Sequence, residues 1–249
     1  MIHESDWDVL LVLDALRYDY FERVYRRFFK GELIEATSGG SCTETWLQCW
    51  DKQYDLTYVS GNPYINSAGV PIRGYPNKEK VRKGYVGADH FKEIIDVWNF
   101  GWNGRLNTVT PDVMNKAIID MTDGTNLIAH YIQPHYPYIG KSTVTSGSGV
   151  RLRQNVKKGV YSKKRLPREK PVRRVKSRQY ITQLRRAYMD NLILVLEHIV
   201  KLLPHLKGKT VITADHGEFL GEGQLYGHPC FCDYPLLLQV PWFIVEGKV

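Results

Sequence analysis

The sequence predicts an α/β fold, with a mostly parallel central sheet flanked by helices. Val9–Leu13 is a continuous apolar run, which is typical of a strand buried on both faces of a parallel sheet. Ile181–Leu203 carries apolar residues at three- and four-residue spacing, which is typical of a helix packed on a core. Strand candidates and helix candidates alternate along the chain, and this alternation favours an α/β sheet.

The other elements follow in chain order. The segment from about Tyr18 to Phe29 has helical character, and Thr110–Met121 is a second predicted helix, with Thr110 as its cap and Pro111 at its first position. Thr210–Ala214 is a strand candidate that ends at an aspartate. The remaining strand candidates are Leu56–Ser60, Asn126–Ile132 and Val240–Val245. We expect one domain over residues 1–249.

The positive charge is concentrated in one segment. Arg151–Arg178 carries 13 Lys or Arg residues and a single acid, so it contributes +12 to a net charge of +8, and the rest of the chain sums to −4. We interpret 142–178 as an inserted loop or lid, and we expect Arg151–Arg178 to be poorly packed or ordered only over the mouth of a site. A solvated loop without a role is the alternative interpretation.

The apolar runs and the N-terminus bear on the location of the protein. The longest apolar runs are too short to span a bilayer, and residues 1–6 lack the basic and then apolar order of a signal peptide. We therefore predict a cytoplasmic protein. The four cysteines form no CxxC pair and no dense disulfide pattern. Oligomeric state cannot be read from this sequence.

Acidic and histidine residues follow two of the predicted buried strands. Asp14 comes directly after Val9–Leu13, and Asp215 and His216 come directly after Thr210–Ala214. Open α/β sheets build their sites at the carboxyl ends of the strands, so these three side chains are expected to meet there. Two adjacent ligands followed by a glycine that permits a sharp turn suit a metal site. An aspartate after a strand is also often only a helix cap.

Several motifs resemble those of the alkaline phosphatase/sulfatase superfamily. Val12–Asp19 resembles the opening strand and first metal aspartate of that family, and Thr213–Glu218 resembles its second metal motif. Gln133–Tyr138 is similar to its Pro-His-x-Pro-Tyr segment, Tyr226–Pro229 to its late histidine motif, and Ala187–Asp190 fits the helix before the second metal motif. The resemblance implies hydrolysis of a phosphate or sulfate ester, small or polymeric, through a covalent intermediate.

The resemblance places the nucleophile near residue 42. Cys42 fits the spacing best, because the hydroxyl residue Thr45 follows three positions later. Positions 44 and 46 hold Glu and Trp, however, and these residues break the Cys-x-Pro-x-Arg signature of sulfatases. Conversion of Cys42 to formylglycine is therefore in doubt, and Ser41 or Thr43 are the alternative nucleophiles.

The remaining roles follow from the same resemblance. His135 and His228 could bind the ester or protonate the leaving group. The candidate substrate-binding residues are Arg17, Asn62 and Thr45.

An imidazole ligand such as His216 favours zinc or manganese over calcium. With zinc or manganese as the divalent metal, we expect the substrate to be a phosphate or phosphonate ester, or the reaction to be phosphoryl-group transfer, in preference to sulfate-ester hydrolysis. A non-catalytic protein on the same fold, which binds a polyanion or nucleic acid through Arg151–Arg178, is the competing hypothesis.

Overall fold

The computed structural model describes residues 6–72, 84–142, 150–159 and 172–248. The strands of this part of the chain are β1 Val9–Leu13, β2 Phe29–Thr37, β3 Tyr54–Ser60, β4 Phe91–Asp96, β5 Trp102–Asn103, β6 Thr108–Val109, β7 Leu127–Tyr131, β8 Val172–Arg173, β9 Thr210–Thr213, β10 Phe219–Leu220, β11 Leu225–Gly227 and β12 Gln239–Lys248. The helices are α1 Tyr18–Glu22, α2 Thr43–Leu47, α3 Val97–Phe100, α4 Pro111–Met121, α5 Val150–Lys157, α6 Arg178–Leu202 and α7 Pro235–Leu238.

The central sheet has seven strands in the order β2-β12-β9-β1-β7-β3-β4. The run from β9 through β4 is parallel, and β12 is antiparallel to both β9 and β2. Strands β10, β11 and β8 form a small second sheet, and β5 pairs with β6. The prediction of an α/β fold with a mostly parallel central sheet is confirmed.

Strand β1 lies at the centre of the sheet and is buried on both faces, as its unbroken apolar run predicts. Successive side chains of a strand point to opposite faces. Val9, Leu11 and Leu13 accordingly join the core beneath α1, α4 and α6, whereas Leu10 and Val12 join the core around Trp46 and Trp50 on the other face. Helices cover both faces, which leaves the carboxyl ends of the strands for a site.

One predicted element is wrong in part. The helix predicted from about Tyr18 to Phe29 ends at Glu22, and Phe29 begins strand β2. Strands β2 and β4 lie at the two edges of the sheet and contain charged residues such as Lys30 and Lys92. A search for continuous apolar runs overlooks such edge strands, because one side of each faces solvent.

In the described part of the basic segment, helix α5 contacts the core, whereas residues 157–159 and 174–178 are exposed. In α5, Val156 is buried, and Arg153 donates hydrogen bonds of 2.8 Å to the carbonyl oxygens of Trp98 and Asn99. Residues 143–149 and 160–171 of the predicted insertion lie outside the described residues, so its interpretation as a lid stays a prediction. Within the described ranges, no helix combines the length and apolar character needed to cross a membrane.

Candidate active site

Strand register places the two predicted carboxylates next to each other at one edge of the sheet. Val12 of β1 pairs with Thr213 of β9, so Asp14 and Asp215, each two residues further on, leave adjacent strands at the same edge. Both side chains are buried, with Asp14 3% exposed and Asp215 0% exposed. Burial of two neighbouring carboxylates costs free energy unless a cation or a proton offsets their charge.

His216 completes this group. Its Nε2 lies 3.4 Å from Asp215 Oδ2 and 3.7 Å from Asp14 Oδ1. Its Nδ1 lies 2.8 Å from the carbonyl oxygen of Gly217, which can only accept, so Nδ1 carries the hydrogen and Nε2 presents its lone pair to the carboxylates. The structure thus brings together Asp14, Asp215 and His216. We call these three residues the first acidic cluster.

Thr43 is the nucleophile candidate that reaches the first acidic cluster. Its Oγ1 donates a 2.7 Å hydrogen bond to Asp215 Oδ2 and lies 3.3 Å from His216 Nε2. Thr43 is the first residue of α2 and is buried. Its hydroxyl therefore lies where a cation bound by the cluster would also contact it.

The other two nucleophile candidates lie in different surroundings. Cys42 forms a disulfide with Cys230, so in this structure Cys42 offers no thiol, and the expectation of Cys42 as nucleophile does not fit the geometry. Ser41 Oγ donates to the carbonyl oxygen of Pro229 at 2.9 Å and accepts from the amide of Cys232 at 3.2 Å. These bonds fasten the loop after β11, and no hydrogen bond among the described residues links Ser41 to the first acidic cluster.

Two of the three candidate substrate-binding residues serve the protein itself. Thr45 Oγ1 accepts from the amide of Cys42 at 3.3 Å and donates to its carbonyl oxygen at 3.0 Å, so it caps α2. The guanidinium of Arg17 is buried between Asp19 and Glu222, with ion pairs of 2.8 and 2.7 Å. Both residues are thus occupied within the fold, which does not fit the expectation that they bind substrate.

Asn62 positions one of the carboxylates. Its Nδ2 donates a 2.9 Å hydrogen bond to Asp14 Oδ2, and its Oδ1 accepts from the amide of Tyr64.

The backbone at Ala15, next to Asp14, adopts φ 61°, which costs about 1 kcal/mol or more for a residue with a Cβ. The Ala15 amide donates to Asp215 Oδ1 at 3.1 Å, and its carbonyl oxygen accepts from Tyr188 at 2.7 Å. This backbone shape therefore ties Asp14 to Asp215.

His130 is a buried residue beside the first acidic cluster. Its Nδ1 lies 2.7 Å from the hydroxyl of Tyr58, and its Nε2 lies 3.6 Å from Asp215 Oδ2 and has no hydrogen-bond partner among the described residues. A buried polar atom without a partner is uncommon. Ligand atoms of Asp14, His130 and Asp215 lie within 4.8 Å of one another, so His130 faces the space that a cation would fill.

The pKa shifts in the first acidic cluster also indicate that its two carboxylates need a nearby positive charge. Burial, together with the Asp215 carboxylate, raises the pKa of Asp14 well above its ordinary value. Burial alone would raise the pKa of Asp215 as well, but His216, His130 and the Thr43 hydroxyl lower it. Burial lowers the pKa of His216 to about 4. Neutral imidazole beside ionised carboxylate is the state in which such groups bind a metal.

A second group lies beside the first and contains both remaining histidine candidates. The Nδ1 of His228 lies 2.9 Å from Glu218 Oε2, and the Nε2 of His135 lies 4.0 Å from the same oxygen. The ring centroids of His216 and His228 are 4.4 Å apart, so the two groups adjoin. Ligand atoms of His135, Glu218 and His228 also lie within 4.8 Å of one another. We call these three residues the second cluster.

Charges within the second cluster are unequal. Burial would lower the pKa of His228, but Glu218 raises it to about 9, so this imidazole carries a proton at neutral pH. Burial and the charge of His228 lower the pKa of His135. The pKa of Glu218 is lowered despite burial, because His228 stabilises its carboxylate. One histidine is thus charged and its neighbour neutral, an arrangement that suits proton transfer.

Asn191 of α6 holds the loop that carries His135. Its Nδ2 lies within 3.1–3.2 Å of the carbonyl oxygens of Pro134, His135 and Pro137. Its Oδ1 accepts from the amide of Ile139 at 3.0 Å. Sequence reasoning did not single out Asn191, although it lies between Tyr188 and Leu192 on the apolar face of the helix. A polar residue on such a face is the signal that could have found it.

No protein-family model and no curated protein matches this sequence, whereas solved structures match its fold. The soluble domain of lipooligosaccharide phosphoethanolamine transferase A from Neisseria meningitidis superposes with a TM-score of 0.53 at 14% identity, over 95% of this chain and 75% of that one. The integral membrane form of that transferase gives 0.51 at 14% identity over 94% of this chain and 47% of the other, so the chain spans about half its length.

A phosphonate monoester hydrolase of Agrobacterium radiobacter has a similar fold. It superposes with a TM-score of 0.51 at 11% identity, over 95% of this chain and 67% of that one. At these identities the similarity establishes the fold alone. Together with the sheet described above, it shows that the chain shares the α/β fold of these enzymes, the fold class that the sequence predicted.

Proposed function

We propose that this chain is a metal-dependent enzyme that cleaves phosphoryl esters, with Thr43 as its nucleophile. One observation carries the proposal: Thr43 Oγ1 lies 2.7 Å from Asp215 Oδ2 and 3.3 Å from His216 Nε2. A weakly acidic hydroxyl needs an adjacent base or a cation to attack at neutral pH. The position of Thr43 against a buried carboxylate and an imidazole lone pair supplies that environment.

The residues of the first acidic cluster fit a divalent cation. Asp14 and Asp215 provide anionic oxygens, His216 provides an Nε2 lone pair, and the unpartnered Nε2 of His130 faces the same space. A mixed set of oxygen and imidazole ligands favours zinc or manganese over calcium. When bound, such a cation lowers the pKa of a hydroxyl and offsets charge on the ester.

Side chains of the protein carry out the attack and the proton transfers of the first step. The bond from Thr43 Oγ1 to Asp215 Oδ2 aims the hydroxyl and gives its proton an acceptor as Oγ1 bonds to phosphorus. The bond from phosphorus to the leaving oxygen breaks, and that oxygen takes a proton from His228, which carries one because Glu218 raises its pKa to about 9. The product of this step is an ester of phosphate on Thr43.

The second step regenerates Thr43. A water molecule or an acceptor hydroxyl gives up its proton to a neutral imidazole of the second cluster, and its oxygen bonds to phosphorus. Thr43 Oγ1 then leaves and takes back the proton that Asp215 accepted in the first step. Attack by water would give hydrolysis, and attack by a hydroxyl would give transfer. Two of the similar folds come from proteins described as a phosphoethanolamine transferase and a phosphonate monoester hydrolase, which supports both outcomes on this fold.

Turnover of 4-nitrophenyl esters tests the proposal. The purified chain, supplied with zinc or manganese, is assayed on the phosphate, ethyl phosphate, phenylphosphonate and sulfate esters. We expect release of nitrophenol from at least one phosphoryl ester and its loss in Thr43→Ala. Ser41→Ala is the matched control, since it removes a neighbouring buried hydroxyl, and it should keep most of the rate. Full activity in Thr43→Ala, or no turnover by the wild type with either metal, would contradict the proposal.

Two further expectations stay predictions. Binding of nucleic acid through Arg151–Arg178 is one, and much of that segment lies outside the described residues. A cytoplasmic location is the other. The Cys42–Cys230 disulfide is unfavourable to the prediction of a cytoplasmic location, because disulfides form and persist mainly in oxidising compartments.

A further inference from the structure

A pocket opens beside the second cluster, and the mechanism proposed above makes no use of most of it. Its volume is about 270 Å³, and His135, Glu218 and His228 line one part of it. Tyrosines form its sides: Tyr136 and Tyr138 make one edge-on pair at 5.7 Å, and Tyr180 and Tyr226 make another at 6.4 Å. Because the second cluster adjoins Thr43 through His216, an ester bound at Thr43 can extend into this pocket.

The basic segment contributes two cations to the same pocket. Arg174 and Lys176 both line it, and they follow β8, which pairs with β11 of the small sheet. The Arg174 amide donates to the backbone carbonyl oxygen of Gln224 at 3.0 Å, and the Lys176 amide donates to the side-chain oxygen of Gln224 at 2.9 Å. Because both donors are backbone amides, these bonds hold the chain at the pocket and leave the two basic side chains free to face a ligand.

The charges of Arg174 and Lys176 are available to a ligand. Both side chains are exposed, and among the described residues no ion pair joins either of them to an acid. Lys176 Nζ lies 4.8 Å from the ring centroid of Tyr180, which keeps its ammonium group at the wall of the pocket. Arg17, by contrast, is held by Asp19 and Glu222. Arg174 and Lys176 are therefore cations that this side of the site can offer to an anion.

We propose that the pocket binds a second anionic group of the substrate, a phosphate or a carboxylate, through Arg174 and Lys176. The proposal rests on the proposed function, because it concerns the ester that Thr43 attacks. It assigns a role to the described end of the basic segment, namely selection of substrates that carry a negative charge away from the reacting phosphorus. Tyrosine side chains between the two ends can contact the carbon skeleton that joins the charges.

Binding of non-cleavable probes tests this inference separately from catalysis. Alkylphosphonates and ω-carboxyalkylphosphonates of matched chain length are titrated into the zinc-loaded protein by calorimetry. We expect the carboxylated probe of best-fitting length to bind the wild type about tenfold more tightly than its uncharged partner. Arg174→Ala/Lys176→Ala should abolish this preference and leave the affinity for the plain alkylphosphonate unchanged, which also shows that the variant is folded.

A second double variant controls for general charge. Lys158→Ala/Arg178→Ala removes the same charge from exposed positions of the basic segment that do not line the pocket, and it should keep the tenfold preference. Equal binding of both probes to the wild type, no measurable binding of either, or a preference that survives Arg174→Ala/Lys176→Ala would overturn the inference. An equal loss of the tenfold preference in Lys158→Ala/Arg178→Ala would also overturn it. Failure of Thr43→Ala to stop turnover would instead contradict the proposed function and leave these affinities unaffected.

Discussion

Replacement of Asn191 by alanine should damage both the stability of the fold and the second cluster. Asn191 is fully buried on α6, and its amide contacts the carbonyl oxygens of Pro134, His135 and Pro137 and the amide of Ile139. These contacts connect the long helix to the loop that carries His135. Alanine at position 191 cannot replace any of them.

The magnitude follows from the number of hydrogens involved. The Nδ2 group has two hydrogens to share among three carbonyl oxygens, and Oδ1 receives a third hydrogen from Ile139. At a net contribution of about 1 kcal/mol for each bonded hydrogen, Asn191→Ala should lower the free energy of unfolding by about 3 kcal/mol. Backbone groups left buried without a partner would raise this loss. A shift of His135 by about 1 Å would lower kcat/KM about 100-fold.

Urea denaturation and turnover of the best nitrophenyl ester measure the two effects. Asn115→Ala is the matched control, because Asn115 is a buried amide that bonds the carbonyl oxygen of His198 and the hydroxyl of Tyr131 without contacting the second cluster. The control should lose about 2 kcal/mol of stability and little activity at a temperature where it is folded. If Asn191→Ala kept wild-type activity, or if Asn115→Ala lost as much, the positioning role of Asn191 would be refuted.

Three further predictions concern metal, pH and the disulfide. Asp215→Asn should leave the protein folded but remove most bound zinc or manganese, measured by metal analysis after dialysis, because an amide offers a dipole where a carboxylate offers charge. In the metal-free state, the wild type should have a larger free energy of unfolding than His228→Gln, because Glu218 raises the folded-state pKa of His228 to about 9. This difference should be full below about pH 6.5 and should be lost as pH rises through about 9. Denaturation at several pH values checks this. Cys42→Ala should lower the free energy of unfolding by about 3 to 5 kcal/mol, because the Cys42–Cys230 disulfide closes a loop with a sequence separation of 188, yet it should retain turnover that depends on Thr43.

The sequence predicts the centre of this fold better than its edges. Val9–Leu13 and Thr210–Thr213 are buried on both faces, so their apolar runs show directly where they lie. In edge strand β2 only Phe29 is buried, and half-buried residues are interspersed with exposed ones such as Lys30 and Glu32, a pattern that does not stand out as a strand. Local patterns therefore located the core strands and overlooked the edges.

The candidate site shows the same division. Asp14, Asp215 and His216 follow buried strands, and strand order alone brings them to one edge of the sheet. The choice among Ser41, Cys42 and Thr43 depends on the direction of each side chain in the loop before α2. No spacing rule provides that information.

The disulfide illustrates a second limit. Its partners, Cys42 and Cys230, are far apart along the chain, and the connectivity of four cysteines cannot be deduced from sequence. Contacts of this kind depend on the fold as a whole, as do the hydrogen bonds of Asn191 to the His135 loop. Tertiary structure was therefore needed to separate residues that face the site from residues that support it.

The location of the phosphoryl group during turnover tests the central claim most directly. The zinc- or manganese-loaded protein is mixed with an excess of its best nitrophenyl phosphoryl ester, quenched with acid within the first turnovers, digested and analysed by fragmentation mass spectrometry. We predict a phosphoryl group on Thr43, absent when the ester is omitted and absent in Thr43→Ala. A phosphoryl group on Ser41, or steady turnover without any phosphorylated residue, would contradict the assignment of Thr43 as the nucleophile.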